Sequence, residues 1–478
     1  MKTKPKIYFR ADGNARIGLG HVTRSLALAD MLKDDFDCYF IIQHPLPSLK
    51  EQILMACTGI IELNNNNGLI QEASKISGFI NTGEIIVLDG YNFITAYQQV
   101  FKEKDIKVVC IDDIHACHFV ADIIINHAGG VTQNEYSAED YTQFYLGVQY
   151  ALLSKVFREA AKNKVINKPN NLFICLGGAD PKNDTLHILK KIEQKGEQNT
   201  CFLIIGAAYL HQDSLLEFIK STKLKVELLI NLSGEKMVFY MNQCARAITS
   251  PSTISYEYLS TGGLLYLKMT ADNQNDINEY FLKEKLALSF DNFVEEYSSH
   301  QLEELAKGQS SLFDGKQQKR FLDIFYDSVI TIRSVGLSDS TLYFDWVNDP
   351  STRQQSYNID PVSLEQHNAW FNQRLTDEKS VLYVVEFNKN PIGQIRFQIE
   401  NCEAKISYSV DKIYRGKGFG FWILKRGIEA IRKSTANLKI IGYVKFENIA
   451  SINIFRKLGF EEVVSTEMKN SYKYLLNY

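Results

Sequence analysis

Residues 10–32 read RADGNARIGLGHVTRSLALADML, directly after the apolar run Ile7-Tyr8-Phe9. That run reads as the tail of a buried strand. From His21 onward Val22, Leu26, Ala29 and Leu32 recur at helical spacing. Gly13, Gly18 and Gly20 suit a loop whose backbone residues carrying a Cβ would resist. His21 is thereby expected at the carboxyl end of a first strand, in the first turn of a helix. Open α/β sheets bind ligands at that place, and helix-start amides favour anions. The spacing G-x-G-H-x-x-R is not the dinucleotide fingerprint G-x-G-x-x-G, and no acidic residue follows a second strand where that fingerprint needs one. A catalytic or ligand-facing His21 therefore stands against a plain tight turn.

With 478 residues the chain has room for about three domains of ordinary size. A formal charge of −3 gives no reason to expect nucleic acid or an anionic membrane as partner. No apolar run approaches the ~20 residues of a membrane span. The basic start MKTKPK is followed by an apolar segment broken at Arg10 and Asp12, which does not read as a signal peptide. The eight cysteines are scattered, mostly in apolar segments, with no C-x-x-C pair. This usage suits a reduced, cytoplasmic enzyme rather than a disulfide scaffold.

Three blocks follow one another. Residues 1–155 alternate apolar strands (IYF, CYFII, EIIVLD, KVVCID, ADIIIN) with helical patterns, and this alternation predicts a parallel sheet flanked by helices. A second α/β block, residues 156–327, restarts at NLFICLGGAD after the polar stretch KNKVINKPNN. Residues 328–478 differ in texture, with long, antiparallel-looking strands VLYVVEF, PIGQIRFQI, AKISYSV and LKIIGYV. The tract Asn64–Asn67 reads as a loop. Two Rossmann-like halves facing a cleft, then a mixed-sheet domain, is the expected α/β architecture.

In the second block, Gly177 and Gly178 end a strand, where backbone amides can approach a phosphate closely. Ser250, Ser252 and Thr253 supply hydroxyls and amides at a helix start, which suits a diphosphate. Glu257, one turn further, is placed to hold both hydroxyls of a ribose, or to face solvent behind an ordinary N-cap cluster. Asn273 and Gln274, in ADNQ, bring two amides to the same rim. In the first block Asp12, Asp89 and Tyr91 lie at strand ends, placed to orient sugar or water or to cap their loops. His115, Cys117 and His118 near Asp112 and Asp113 raise a metal site. No partner cluster with zinc-like spacing accompanies them, so no metal is expected.

In order, RADGNARIGLGHVTR, VLDGY, CIDD, CLGGAD, STISYE and ADNQ resemble the UDP-sugar hydrolases of pseudaminic acid biosynthesis over about residues 5–325. Those enzymes are similar in fold to two-domain GT-B glycosyltransferases. The resemblance implies a UDP-sugar site that includes Gly20, with UDP on Gly177, Gly178, Ser252, Thr253 and Glu257, and His21 as the catalytic base. Pro251 stands where many relatives have glycine, and DDIHACHF lacks the small-residue pattern usual after the paired aspartates. UDP leaves readily, so hydrolysis needs a positioned water and a group able to take its proton near neutral pH, which histidine provides.

The last block carries R-x-x-G-x-G at Arg415, Gly418 and Gly420, between a strand and an amphipathic helix. With WVNDPSTR, SLEQHNAWF, PIGQIRF and ENIASINIFRKLGF it resembles the GNAT acetyltransferases over about residues 329–478. That resemblance implies acetyl-CoA as co-substrate, held at Val410 and the loop Arg415, Gly416, Lys417, Gly418, Phe419 and Gly420. It also places Asn448 near the pantetheine arm or at the adjacent strands. Many members use a tyrosine where this chain has Phe455, which has no proton to donate. Tyr443 or a water is then expected as acid, and Glu386, Glu400, Ser407 or a water chain as base.

Together the two resemblances look like a bifunctional enzyme of pseudaminic acid biosynthesis. One half would N-acetylate the 4-amino group of a UDP-aminosugar. The other would release UDP from UDP-2,4-diacetamido-2,4,6-trideoxy-β-L-altropyranose. A glycosyltransferase fused to a protein-acetylating or regulatory GNAT module is the alternative. Protein partners are not legible in the sequence.

Overall fold

The computed structural model describes residues 4–13, 19–63, 68–165, 167–178, 180–293, 298–435, 437–463, 467–468 and 470–477. Gly18 and Asn64–Asn67 lie outside them, as does the side chain of Asn273. Two compact units form, one of residues 4–323 and one from Ile324 onward. No helix among the described residues is long and apolar enough to cross a membrane.

The first unit contains two parallel sheets. In the first, the strands lie in the order Gly59–Leu63, Asp37–Gln43, Lys6–Ala11, Ile85–Asp89, Lys107–Ile111, Ile123–Asn126, Gln143–Leu146. In the second the order is Val226–Ile230, Cys201–Ile205, Leu172–Cys175, Arg246–Thr249, Leu264–Leu267, Leu288–Ser289. Each begins with the strand order 3-2-1-4-5 of a Rossmann sheet. The strand order therefore reverses between Lys6–Ala11 and Ile85–Asp89 in one sheet, and between Leu172–Cys175 and Arg246–Thr249 in the other. A crevice opens beyond the strand carboxyl ends at such a reversal. The runs IIVLD and LFIC are buried throughout, because a parallel sheet covered on both faces admits no polar alternation. Gly59–Leu63 and Gln143–Leu146 escaped the sequence reading, for both are only partly buried edge strands.

The second unit is a seven-stranded mixed sheet, ordered Ile330–Ser334, Ser380–Phe387, Asn390–Glu400, Glu403–Val410, Lys439–Lys445, Ser471–Leu476, Glu461–Val463. One expectation needs correction. LKIIGYV does not join antiparallel to AKISYSV; Lys439–Ile441 pair parallel with Glu403–Lys405. The helix Phe419–Ser434 intervenes, and a strand returning after such a crossover runs in the same direction.

Two candidate active sites

The helix Gly20–Leu32 follows the first strand and buries Val22, Ser25, Leu28, Ala29 and Leu32. Gly20 itself has open space at its Cβ position and no left-handed φ, so it does not need to be glycine for backbone reasons. His21, Arg24 and Ser25 fall on one face of the helix at i, i+3 and i+4, and all three meet Asp89. Asp89 ends the neighbouring strand, in register with Ala11, and is fully buried. His21 Nδ1 lies 2.7 Å from Asp89 Oδ1. Arg24 donates from Nη2 to Oδ1 (2.6 Å) and from Nε to Oδ2 (2.8 Å), and Ser25 Oγ donates to Oδ2 at 3.1 Å. Burial pushes the Asp89 carboxyl upward, but the Arg24 guanidinium and the hydrogen bonds of His21 and Arg24 outweigh it and hold it below the usual carboxylate range. An ionised carboxylate only accepts, so Nδ1 is the nitrogen that donates to Asp89, and in the neutral ring Nε2 is the one left to accept. Arg24 also reaches Asp113 at 2.8 Å. Tyr91, about half exposed, sets its ring edge-on to His21 at 4.8 Å and donates to Asp113.

Asp12 is bound otherwise than a sugar ligand would be. Its oxygens accept from the Gln43 amide (2.9 Å) and from Arg10 (2.7 Å), in a network that includes buried Glu72. His118 turns its ring to Ser137 and Glu139, and His115 sets its ring against Tyr136. Among the described residues no three His, Cys, Asp or Glu side chains converge as metal ligands.

In the second sheet, Gly177 takes the left-handed φ of +97°. A Cβ on Gly206 would come within 2.6 Å of the Gly178 backbone, so two glycine turns pack backbone to backbone. Ser250 donates to the Leu176 carbonyl and shares a hydrogen bond with Ser252. Ser252 and Thr253, both half-buried, open the helix Thr253–Thr261, which has no side-chain cap. Glu257 is half-buried in its second turn, and burial alone pushes its carboxyl up to about 8. Gln274 folds its amide back onto Thr270 and Ala271. Here the expectation of an outward amide at the rim is replaced by a local cap.

Sequence reasoning passed over His127, the residue after strand Ile123–Asn126. Its carbonyl accepts from Tyr256 Oη at 2.8 Å, beside Glu257 on the same helix, and the two rings meet edge-on. A Cβ on Gly129 would strike the Tyr280 ring. The carboxyl edge of the first sheet is thus joined to the Glu257 helix. Burial first, then the charge of Arg24, holds the His127 imidazole down at about 4. It is neutral near pH 7. The signal available was INHAGG directly beyond an apolar strand.

The second unit holds a cavity of about 1020 Å³. It opens where Glu403–Val410 and Lys439–Lys445 part after three paired residues, leaving Ile406–Val410 without a partner on that side. Gly416 and Gly418 take left-handed φ of 74° and 83°, with open space around them. Gly418 is the N-cap of the helix Phe419–Ser434. Gly420 lies so close to Ile454 that a Cβ would come within 2.9 Å, and Phe419 is buried. These features leave backbone amides open at the helix start, which fits a pyrophosphate. Arg415 is committed elsewhere: it pairs with Asp349 at 2.7 Å and donates to the Val410 carbonyl and Thr352. Lys417 is exposed. Asn448 caps the helix Ile449–Lys457 by accepting from the Ser451 amide. Tyr443 donates to Glu467. Glu386 is paired with Arg333; Glu400, exposed, ends its strand. Ser407 lines the cavity.

Two cations on the cavity wall were missed as well. Arg396 lies with its guanidinium 4.9 Å from the Trp370 ring centre, and burial, Arg374 and Arg353 all disfavour its charge. Among the described residues Arg353 donates only to the Asp360 carbonyl and Ser356, with its Nε buried and unpartnered. Neither has a carboxylate partner among the described residues.

Residues 330–461 match the family model described as the acetyltransferase (GNAT) domain. The chain is 28% identical over 269 residues to the UDP-2,4-diacetamido-2,4,6-trideoxy-β-L-altropyranose hydrolase of Campylobacter jejuni, covering 53% of this chain and 88% of that protein. It is 22% identical over 286 residues to the spore coat polysaccharide biosynthesis protein SpsG of Bacillus subtilis, covering 58% and 81%. An uncharacterized protein of Methanocaldococcus jannaschii is 22% identical over 487 residues, 96% of this chain and 97% of that one. The spermidine N-acetyltransferase of Vibrio cholerae, solved in complex with CoA and spermine, matches at 20% identity and a TM-score of 0.29 over 31% of this chain and 96% of that one. The chain therefore carries a GNAT acetyltransferase domain behind a region similar to sugar-nucleotide biosynthesis proteins.

Proposed function

We propose that the chain is a bifunctional sugar-nucleotide enzyme of pseudaminic acid biosynthesis. The GNAT domain transfers acetyl from acetyl-CoA to the 4-amino group of a UDP-aminosugar. Residues 4–323 then hydrolyse the acetylated product and release UDP. The observation that carries this reading is the pair Arg353 and Arg396, two guanidinium groups on the acetyl-transfer cavity without a carboxylate. Both are half-buried, and a cation partly withdrawn from water is favoured by an anion that compensates it. An anionic amine, such as a nucleoside diphosphate aminosugar, supplies that compensation; a polyamine or other polycation does not. The hydrolase relative acts, by its name, on a compound of the same class.

In the hydrolytic step His21 Nε2 takes the proton of the attacking water, while Asp89 fixes the tautomer and stabilises the imidazolium that forms. Amides at Gly177, Gly178 and Thr253 hold the diphosphate together with the Ser252 hydroxyl, the Ser252 amide being given to the Ser250 carbonyl, and Glu257 accepts from the ribose hydroxyls. Attack opposite the departing UDP inverts the anomeric carbon. The test is mass spectrometry of nucleotide sugars after incubation with the UDP-4-aminosugar, with and without acetyl-CoA. Acetylation followed by UDP release is expected. Acetylation of polyamines or protein amino termini instead, or glycosyl transfer to an acceptor other than water, overturns the reading.

A further inference from the structure

Asp89, Asp113 and His127 stand at or just beyond the carboxyl ends of three neighbouring strands, Ile85–Asp89, Lys107–Ile111 and Ile123–Asn126. The two carboxylates hold Arg24, and Asp89 also holds His21. His127 is the next position along this rim, and it borders two clusters. On one side the charges of Arg24, Asp113 and Asp89 act on its imidazole. On the other its ring meets the Tyr256 ring edge-on at 5.2 Å, and its carbonyl accepts from Tyr256 Oη. Tyr256 lies in the first turn of the helix Thr253–Thr261, beside Glu257. A nucleotide sugar that reaches from Glu257 to a water on His21 has its ribose at one end and its anomeric carbon at the other. The diphosphate lies between them, as His127 lies between the two clusters. The imidazole is also unengaged. Its Nδ1 is buried with no hydrogen-bond partner among the described residues, although the residue is partly exposed. A ligand can therefore meet only Nε2. A buried N–H is left unpaired more rarely than an acceptor, so the single proton of the neutral ring belongs on Nε2.

We propose that His127 donates a hydrogen bond from Nε2 to the β-phosphate oxygen through which UDP departs. The proposal rests on the reading of residues 4–323 as a UDP-sugar hydrolase. In the step, the water oxygen bonds to the anomeric carbon as its proton passes to His21 Nε2. The electrons of the breaking C–O bond stay on the β-phosphate oxygen. The His127 N–H bond remains intact, so UDP leaves as the anion and the ring is neutral before and after. A donor fixed in place then meets charge that develops only as the bond breaks. Burial, followed by the Arg24 charge, keeps the ring in this neutral form near pH 7.

The test is calorimetry with UDP and with UMP, alongside steady-state UDP release from the acetylated UDP-sugar by the full chain. UMP lacks the β-phosphate, so it reports the ribose site and the fold alone. His127→Phe fills similar space without a donor. It should weaken UDP about tenfold, the scale for losing a hydrogen bond to a charged group, and leave UMP affinity unchanged. It should also lower kcat about 10²-fold with KM changed far less, because that oxygen carries more charge in the transition state than in the intact substrate. His127→Gln sets an amide N–H near the place of Nε2 and should restore UDP affinity and most of kcat. His127→Asn, whose amide matches Nδ1 instead, should not. UDP weakened no more than UMP, an unchanged kcat in His127→Phe, or no recovery in His127→Gln overturns the proposal. A wild-type chain that binds no UDP, or releases none from the nucleotide sugar, would instead overturn the reading of residues 4–323.

Discussion

His21 Nδ1 lies 2.7 Å from Asp89 Oδ1, and the same carboxylate is clasped twice by Arg24. The pair leaves one imidazole nitrogen as a base and keeps Asp89 ionised beside it. His21→Ala should therefore abolish UDP release from the acetylated UDP-sugar while UDP affinity stays nearly unchanged in calorimetry. Asp89→Asn should lower kcat as well, but it removes the buried one of the two carboxylates on Arg24, leaving Asp113. That loss should destabilise the unit by at most about 3–5 kcal/mol, visible as a lower Tm that His21→Ala does not share. Hydrolysis by His21→Ala at the wild-type rate would remove His21 from the mechanism.

With Glu257 as the proposed ribose ligand, UDP binding should have a pH dependence of defined sign. Its carboxyl, raised by burial to about 8, is mostly protonated at pH 7 in the free protein. In the proposed complex, ribose hydroxyls would donate to the ionised form and so lower its pKa. Binding then releases a proton below about pH 8, and UDP affinity strengthens as pH rises toward 8 before levelling. Calorimetry in buffers of different ionisation enthalpy measures the release. In Glu257→Gln both the release and the slope between pH 7 and 8 should vanish, with affinity weakened by about 1.5–3 kcal/mol. An unaltered titration would make Glu257 an ordinary helix residue.

The sequence disclosed His21 and the glycine loops because they rest on local rules: a strand end, a helix period, a left-handed backbone at Gly177, Gly416 and Gly418. It could not disclose that Asp89 and Arg24 enclose His21, since their juxtaposition follows from strand order. His127 was hidden for the same reason; it gains meaning only when Tyr256, 129 residues away, reaches its carbonyl. Arg415 is a different case: the resemblance to the GNAT acetyltransferases put it at the acetyl-CoA loop, and its ion pair with Asp349 could be seen only in the structure. Arg396, in the strand PIGQIRF that the sequence offered only as a long strand and a piece of the GNAT resemblance, has no carboxylate partner among the described residues.

The two reactions should separate by mutation. Gly418 stands at the N-cap of the helix Phe419–Ser434 with a left-handed φ and open space beside it. Gly418→Trp places a large side chain where the loop amides must stay accessible, and adds backbone strain of about 1–3 kcal/mol. Acetyl transfer should stop, while hydrolysis of an already acetylated UDP-sugar continues, because His21 and Glu257 belong to residues 4–323. His21→Ala should accumulate the acetylated UDP-sugar. Chromatography of nucleotide sugars from both variants reads the result. Loss of hydrolysis in a folded Gly418→Trp protein would favour a regulatory role for the GNAT domain.

Arg396 offers a direct reading of the acceptor. All three tryptophans, Trp346, Trp370 and Trp422, lie beyond residue 324, so tryptophan fluorescence reports the GNAT unit alone. UDP added to the full chain should quench that emission through Trp370, against which Arg396 is stacked. Arg396→Leu should raise KM for the UDP-4-aminosugar by about tenfold or more, the factor expected when a charge-assisted contact of about 1.5–3 kcal/mol is lost. Stability should change little, because the half-buried guanidinium has no carboxylate among the described residues whose charge would be left unpaired. A Tm within a few degrees of wild type, together with weakened UDP quenching, identifies Arg396 as a ligand contact. Unchanged quenching and KM would mean that its positive charge serves the fold, and the anionic acceptor would lose its main support.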